Sequence, residues 1–523
     1  RMRAHAARAA WAAIGLATVV AAWQALHDLA RLPDRVLPAP ATILASAAAR
    51  SSSLACAAWT TAAEGMAGMA AGIAVGILLA FAASLWPRAA RVAAPILVVS
   101  QTIPLIAVAP LMVIWMGFSM ASKIVVVAVF TAFPVALALL RGLNLTPGAL
   151  TDPLAVAGAS RAWMMIHARL PWAHAHLFSG IRIAATYAFA SAATAEFMGA
   201  KRGLGVFLLS AQASFRTDLV FAGAGTLVVM TLLLYGLVGA AEALTSRRRL
   251  PSPRGRRTPG EDLAPGPIAL DNIAKTYDSS RGAIRALRGA SLAVPTGRIA
   301  AVVGPSGCGK STLIRIVAGL EAPDSASEAT RAKGRARAAL MPQSDSLAPW
   351  LCVRDNVAIP LVLAGTSKKD ARNAAQAALE DLGLGGFASH RPEELSGGMR
   401  ARIAFARTML TPAHAILLDE PFGALDALTR ATACDWLAGV LHENPRTTVI
   451  VTHDILEAVQ LADEVHVMSE RPGRVTRSIP IDLPRPRGAE TRRLKRFHDL
   501  CARVEDALTT PDGRTTNEGT PCH

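Results

Sequence analysis

Residues 304–311 read Gly304-Pro305-Ser306-Gly307-Cys308-Gly309-Lys310-Ser311, with Thr312 next, and fit GxxxxGK[ST]. Such a loop offers backbone N–H groups and a helix N-terminus to phosphate oxygens. Lys310 would reach the terminal phosphates of a nucleotide, and the Ser311 hydroxyl would ligate Mg2+. Asp419 and Glu420 follow the apolar run Ala415–Leu418. A lone acidic pair at a strand end is common, but downstream of a phosphate loop it suits chemistry. Asp419 would hold the Mg2+ shell and Glu420 would polarise an attacking water. His453 follows a third apolar run, Thr448–Val451, within reach of a terminal phosphate on this reading.

These residues need an alternating α/β framework to bring them together. Arg298–Val303 is an apolar run suited to a buried strand, and Thr312–Leu320 suits the helix after the loop. The α/β pattern starts near Ile268. Residues 246–267, with six arginines and five prolines and no apolar periodicity, form a linker before it. After about residue 485 the sequence reads as one basic amphipathic helix and a tail.

The first half has a different character. The 523 residues are 52% hydrophobic and 18% charged, against ~25% charged for ordinary soluble domains. Residues 1–250 hold 19 Lys and Arg against 7 Asp and Glu; the rest of the chain holds 35 against 31. This excludes a wholly soluble and a wholly disordered chain. The net charge of +16 is concentrated beside apolar runs, where anionic lipid is the natural partner and nucleic acid is not. Six runs approach the ~20 residues a helical span needs: 10–28, 62–85, 93–116, 122–141, 181–199 and 219–241. Lys and Arg favour the side facing the N-terminus, 12 against 7, which places that terminus in the cytoplasm. The longest inside loop, 142–180, suits either an amphipathic helix on the headgroups or a helical hairpin turning at Gly158 and fitting a cytoplasmic partner. Pro95, Pro104, Pro110 and Pro134 would kink spans. Glu196 and Tyr187 fit either a solute path or helix packing. Six cysteines without a CxxC pair predict neither a disulfide framework nor a zinc site.

Leu395-Ser396-Gly397-Gly398-Met399 resembles the LSGGQ signature of ABC transporter ATPases. By that resemblance residues 304–311 are the Walker A loop, Asp419 the Walker B aspartate and Glu420 the catalytic glutamate. It also makes Tyr277 the residue that stacks on adenine, Gln343 the Q-loop glutamine sensing Mg2+, Ala424-Leu425-Asp426 the D-loop, and His453 the switch histidine. The implied cofactors are ATP and Mg2+. Ser396, Gly397 and Gly398 would meet the terminal phosphate held by the opposite subunit, which implies a homodimer or pairing with a similar chain. Residues 321–340 are polar where the family has strands; Met399-Arg400 is similar to the nitrate/taurine importer subgroup; Ala401 stands where Gln is usual.

The membrane half resembles the permeases of the same subgroup. Asp152, Gly158 and Pro171 sit at the spacing of their EAA coupling motif, with Asp for Glu and Pro153-Leu154 for two alanines. Ser100–Pro110 and Ile114-Trp115 look most like permeases for thiamine-precursor pyrimidines or riboflavin, with sulfonate, nitrate and taurine permeases close behind. The fold expected is an α-helical permease of about six spans (1–245), the linker (246–267), an α/β P-loop NTPase of the ABC class (268–485), and a C-terminal helix and tail (486–523). The function implied is ATP-driven import of a small solute across the inner membrane, with the ATPase in the cytoplasm and an external solute-binding protein. An exporting half-transporter and a non-transporting ATPase remain as alternatives. The complete set Lys310, Asp419, Glu420 and His453 argues against the second.

Overall fold

The computed structural model describes residues 2–30, 33–85, 95, 99, 102–245, 250, 266–279, 282–327, 338–344, 346–423, 427–443 and 445–509. The first helices are α1 (Met2–Ala30), α2 (Pro40–Ala49), α3 (Ser51–Leu85), α4 (Leu105–Met116) and α5 (Met120–Asn144). Then come α6 (Gly148–Val156), α7 (Arg161–Met164, continued by a π-turn over Met165–Arg169), α8 (Leu170–Glu196), α9 (Leu204–Ala213) and α10 (Thr217–Thr245). The chain divides into two compact units. One holds residues 1–146 and 172–246; the other holds residues 147–171 together with 247–523.

The first unit is helical. Among the described residues, three helices are long and apolar enough to cross a membrane: Ser51–Ser84, Met120–Asn144 and Thr217–Thr245. This departs from the six spans read in the sequence. The 10–28 run lies within α1, and the 181–199 run ends a longer α8 that carries Arg182 and Glu196. The 93–116 run is broken: part of it lies outside the described residues, and helix resumes only at Leu105 after Pro104. Pro134 sits inside α5 without ending it. Leu232, Leu233 and Leu237 of α10 point outward, as lipid-facing side chains do.

The core of this unit is the seam between α3 and α5. A Cβ on Gly68 would fall 2.4 Å from Val127 Cβ, and one on Gly72 would fall 1.9 Å from Thr131 Oγ1. With Gly76 against Val135, the spacing of four residues lets the two backbones touch. Lys123 Nζ donates to Glu64 Oε1 at 2.7 Å across the same seam, with the Glu64 side chain buried and that of Lys123 partly so. Glu196 accepts from Thr61 Oγ1 (2.6 Å) and from the Gly205 N–H (2.5 Å), so its carboxylate is engaged in helix packing. Tyr187 is half exposed.

The second unit is α/β. Its elements are β1 (Ile268–Ser279), β2 (Gly282–Val294), β3 (Ile299–Val303), α11 (Lys310–Val317), β4 (Ala338–Met341), α12 (Val353–Leu363) and α13 (Lys368–Asp381). They continue with α14 (Gly397–Met409), β5 (Ala415–Asp419), α15 (Ala427–Glu443), β6 (Thr447–Val451), α16 (Ile455–Leu461), β7 (Glu464–Met468), β8 (Val475–Pro480) and α17 (Lys495–Thr509). β1 and β2 form an antiparallel pair, and the main sheet runs β4-β5-β6-β3-β7-β8. β3, β5 and β6 are parallel and every residue of each is buried, as expected of a sheet covered on both faces. Their C-terminal ends therefore open at one edge, where such sheets place ligands.

The reading of 321–340 as polar where the family has strands needs correction at its end. Ala338–Met341 is a buried parallel strand beside β5; four residues are too few to show in a segment whose other residues are charged or small. Residues 147–171 form the hairpin expected of the inside loop. α6 ends, Gly158 takes φ +92°, a conformation glycine adopts without cost, and Ser160 caps α7 by accepting from the Trp163 N–H.

Candidate nucleotide site

The phosphate loop leaves β3 and returns into α11. Gly307 (φ +76°) and Gly309 (φ +110°) supply the turns. A Cβ at Gly309 would lie 2.8 Å from the Ala286 carbonyl oxygen, so that position is closed to side chains. Cys308 is buried under the loop. Lys310 is buried, and its Nζ donates to the Gly304 (2.7 Å) and Pro305 (2.9 Å) carbonyls. The ammonium is thus fixed across the loop mouth, while Ser306 and Gly307 face solvent.

Asp419 ends β5 and is buried. Burial, and then the neighbouring Glu420 charge, push its carboxyl up to about 6, although Ser311 hydrogen-bonds to it. Asp419 Oδ1 is buried with no hydrogen-bond partner. Buried polar atoms are rarely left so. A divalent cation between this oxygen and the Ser311 hydroxyl would satisfy it, so the residues present fit Mg2+.

Glu420 has φ +46°, a costly conformation for a residue with a side chain. Its N–H donates to the Val451 carbonyl of β6 at 2.8 Å, which holds the bend. One carboxylate oxygen, Oε2, accepts from Gln343 Nε2 at 2.7 Å and lies 3.5 Å from His453 Nδ1. Gln343 and His453, 77 and 33 positions from Glu420 along the chain, thus meet at one of its oxygens.

Tyr277 lies on β1 opposite Ile284. Its hydroxyl donates to Glu321 Oε2 and lies 3.4 Å from Thr312 Oγ1. Ser396 caps α14, accepting from the Met399 N–H, and Ser396 and Gly397 are exposed. Among the described residues no hydrogen bond joins Ser396, Gly397 or Gly398 to the phosphate loop of the same chain. Asp426 lies outside the described residues.

Some residues at this site carried no signal in the sequence. Arg471 donates through Nε (3.0 Å) and Nη2 (2.8 Å) to the Gly307 carbonyl and so holds the loop's apex. Arg407 of α14 donates to Ser346 just beyond Gln343. Arg315 of α11 donates to Asp152 of α6 and, at 2.6 Å, to Glu321. Only Arg315 had a readable cue, its place one turn beyond Lys310.

The sequence model described as ABC transporter matches residues 287–423, and that described as binding-protein-dependent transport system inner membrane component matches residues 72–247. An aliphatic sulfonates import ATP-binding protein of Rhizobium johnstonii is 42% identical over 228 residues, covering 43% of this chain and 80% of the relative. The chain belongs to the ABC transporter family. A nitrate import ATP-binding protein of Synechocystis is 35% identical over 259 residues, covering 48% of this chain and 97% of the relative. A solved dimeric ATP-binding cassette in a post-hydrolysis state, bound to ADP and phosphate, is 30% identical with a TM-score of 0.37, covering 41% of this chain and 99% of that one. This ABC transporter carries permease and ATP-binding domain in one chain, is a membrane protein of the importer type, and couples ATP hydrolysis to transport of a small solute.

Proposed function

We propose that this ABC transporter takes up a small solute with an external solute-binding protein, working as a homodimer with its ATP-binding domain in the cytoplasm. The convergence of Gln343 and His453 on Glu420, beside the Ser311–Asp419 pair, carries this reading: a complete hydrolytic set stands in the same chain as an importer permease.

The loop N–H groups and Lys310 bind the phosphates, and Tyr277 receives the base. Ser311, Asp419 and Gln343 would hold Mg2+, which when bound neutralises phosphate charge. Glu420 takes the proton of the attacking water. Gln343 and His453 fix the carboxylate through the same oxygen, leaving Oε1 for that proton. Ser396 and Gly397, exposed at a helix N-terminus, and Gly398 beside them meet the phosphate held by the second copy. Asp152 ties residues 147–171 to the ATP-binding domain and so passes its closure toward the permease.

The ATP-binding domain does not choose the solute. On the resemblance of the permease's Ser100–Pro110 and Ile114-Trp115 runs, the substrate is a thiamine-precursor pyrimidine or riboflavin. The sulfonate and nitrate importers among the relatives favour a second reading, a small oxyanion. Mass spectrometry of the chain gently purified from its native membrane separates them. A co-purifying solute-binding protein carrying a pyrimidine or flavin supports the first, one carrying a sulfonate or nitrate the second. A homodimer with no such partner, under conditions that preserve known importer complexes, overturns import.

A further inference from the structure

We propose that Glu321 is a positioning residue that makes the hold of the ATP-binding domain on Asp152 depend on Tyr277, and hence on the bound nucleotide. The inference rests on the reading of Tyr277 and residues 304–312 as an ATP site.

Four side chains form an unbroken line. Tyr277 donates its hydroxyl to Glu321 Oε2; Arg315 Nε donates to Glu321 Oε1 at 2.6 Å; Arg315 Nη1 donates to Asp152 Oδ2. The line starts on β1, crosses α11, whose first residue is Lys310, and ends on α6. Glu321 lies just past α11, where the sequence looked like a polar insert. Its environment is built: burial opposes its charge, yet the Tyr277 and Arg315 hydrogen bonds hold its carboxyl below the usual range.

The chemistry makes the line responsive. Arg315 serves two carboxylates with one planar guanidinium, and that plane is rigid. Moving Glu321 therefore turns the edge that Asp152 uses. The carboxylate of Glu321 is likewise divided between a phenol and the guanidinium. A base laid on the Tyr277 ring shifts the phenol, changes how much of Glu321 is left to Arg315, and so changes the bond to Asp152. Lys275 Nζ, 5.8 Å from the ring centroid and bound to Asp324 at 2.9 Å, keeps the ring in place from the other direction.

Coupling of binding free energies is reciprocal, so a change at Asp152 must alter nucleotide affinity, and only through Glu321. The experiment titrates fluorescent mant-ATP with Mg2+ into the full chain in lipid nanodiscs, in a Glu420→Gln background that stops turnover. Asp152→Asn is expected to change the Kd by about threefold or more. The same substitution in Glu321→Gln, or in Tyr277→Phe, which removes only one hydroxyl, should leave Kd unmoved, and Glu321→Asp should restore part of the response. Independent effects of Asp152→Asn and Glu321→Gln, multiplying without interaction in folded protein, overturn the inference. If Glu321→Gln does not fold, the Tyr277→Phe arm decides by the same criterion. A chain that binds no mant-ATP before the relay is touched overturns the ATP-site reading, and the inference with it.

Discussion

Asp419 serves two opposed demands. It must be ionised to hold a cation, yet it is buried beside Glu420 with one oxygen unpartnered. With its carboxyl raised from 3.8 to about 6, the folded state binds its proton more tightly than the unfolded state does. Its ionisation thus lowers stability by an amount absent below about pH 4 and complete above about pH 6, on the order of 3 kcal/mol. Asp419→Asn is expected to raise the thermal midpoint of the nucleotide-free protein at pH 7.5, with the gain shrinking as pH falls from 6 to 4, and to abolish Mg2+-dependent ATPase. Thermal melts across pH and phosphate release check the two effects. In the parent, the apparent affinity for Mg2+ should fall about tenfold per pH unit below pH 6. The sequence made Lys310, Asp419 and Glu420 legible because their order along a strand and loop is local. Arg471 and Glu321 were not legible: Gly307 and Tyr277, which they meet, lie far from them along the chain, and an arginine after a strand or a glutamate in a polar stretch usually faces water.

Among the elements, the amphipathic helix read at the C-terminal end is α17, which belongs to the second unit. Phe497, Leu500, Val504 and Ala507 form its buried stripe. Before it, Arg487 is 2% exposed and donates to the carbonyls of Val459, Ala462, Ile481 and Leu483. Burial, and then Arg485, hold its guanidinium down to about 10. Arg487→Ala leaves those carbonyls without a donor and should cost about 3 kcal/mol, read as a lowered melting temperature. Arg487→Lys should recover little, because an ammonium cannot span four acceptors in one plane. The longer parallel strands could be read from their continuous apolar runs; β4 could not, since four residues are too few to stand out. The spans were legible as apolar runs, but their ends were not: α3 begins at Ser51, eleven residues before the run read at 62–85.

For the whole molecule, the separation of the Ser396–Gly398 turn from the phosphate loop has a direct test. If each ATP site takes its loop from one copy and its signature from the other, two differently damaged chains repair each other. Lys310→Ala and Ser396→Phe should each lose ATPase activity alone. Co-expressed with distinct tags and purified as the mixed pair, they should regain measurable phosphate release, since one of the two sites is then intact. No recovery in a proven mixed pair would overturn the shared-site arrangement. The alternation of apolar and charged halves made the joining of a membrane part to an ATP-binding part legible; the solute was not, because charges in the helices such as Lys123 and Glu64 pair helix to helix and spell no ligand. The α3–α5 seam sharpens that point. Where Gly68, Gly72 and Gly76 meet Val127, Thr131 and Val135, no space is left for even one added carbon, and a part-buried ammonium–carboxylate pair pins the same line. The two helices form one plate, and whatever this protein carries must travel around that plate and never through it.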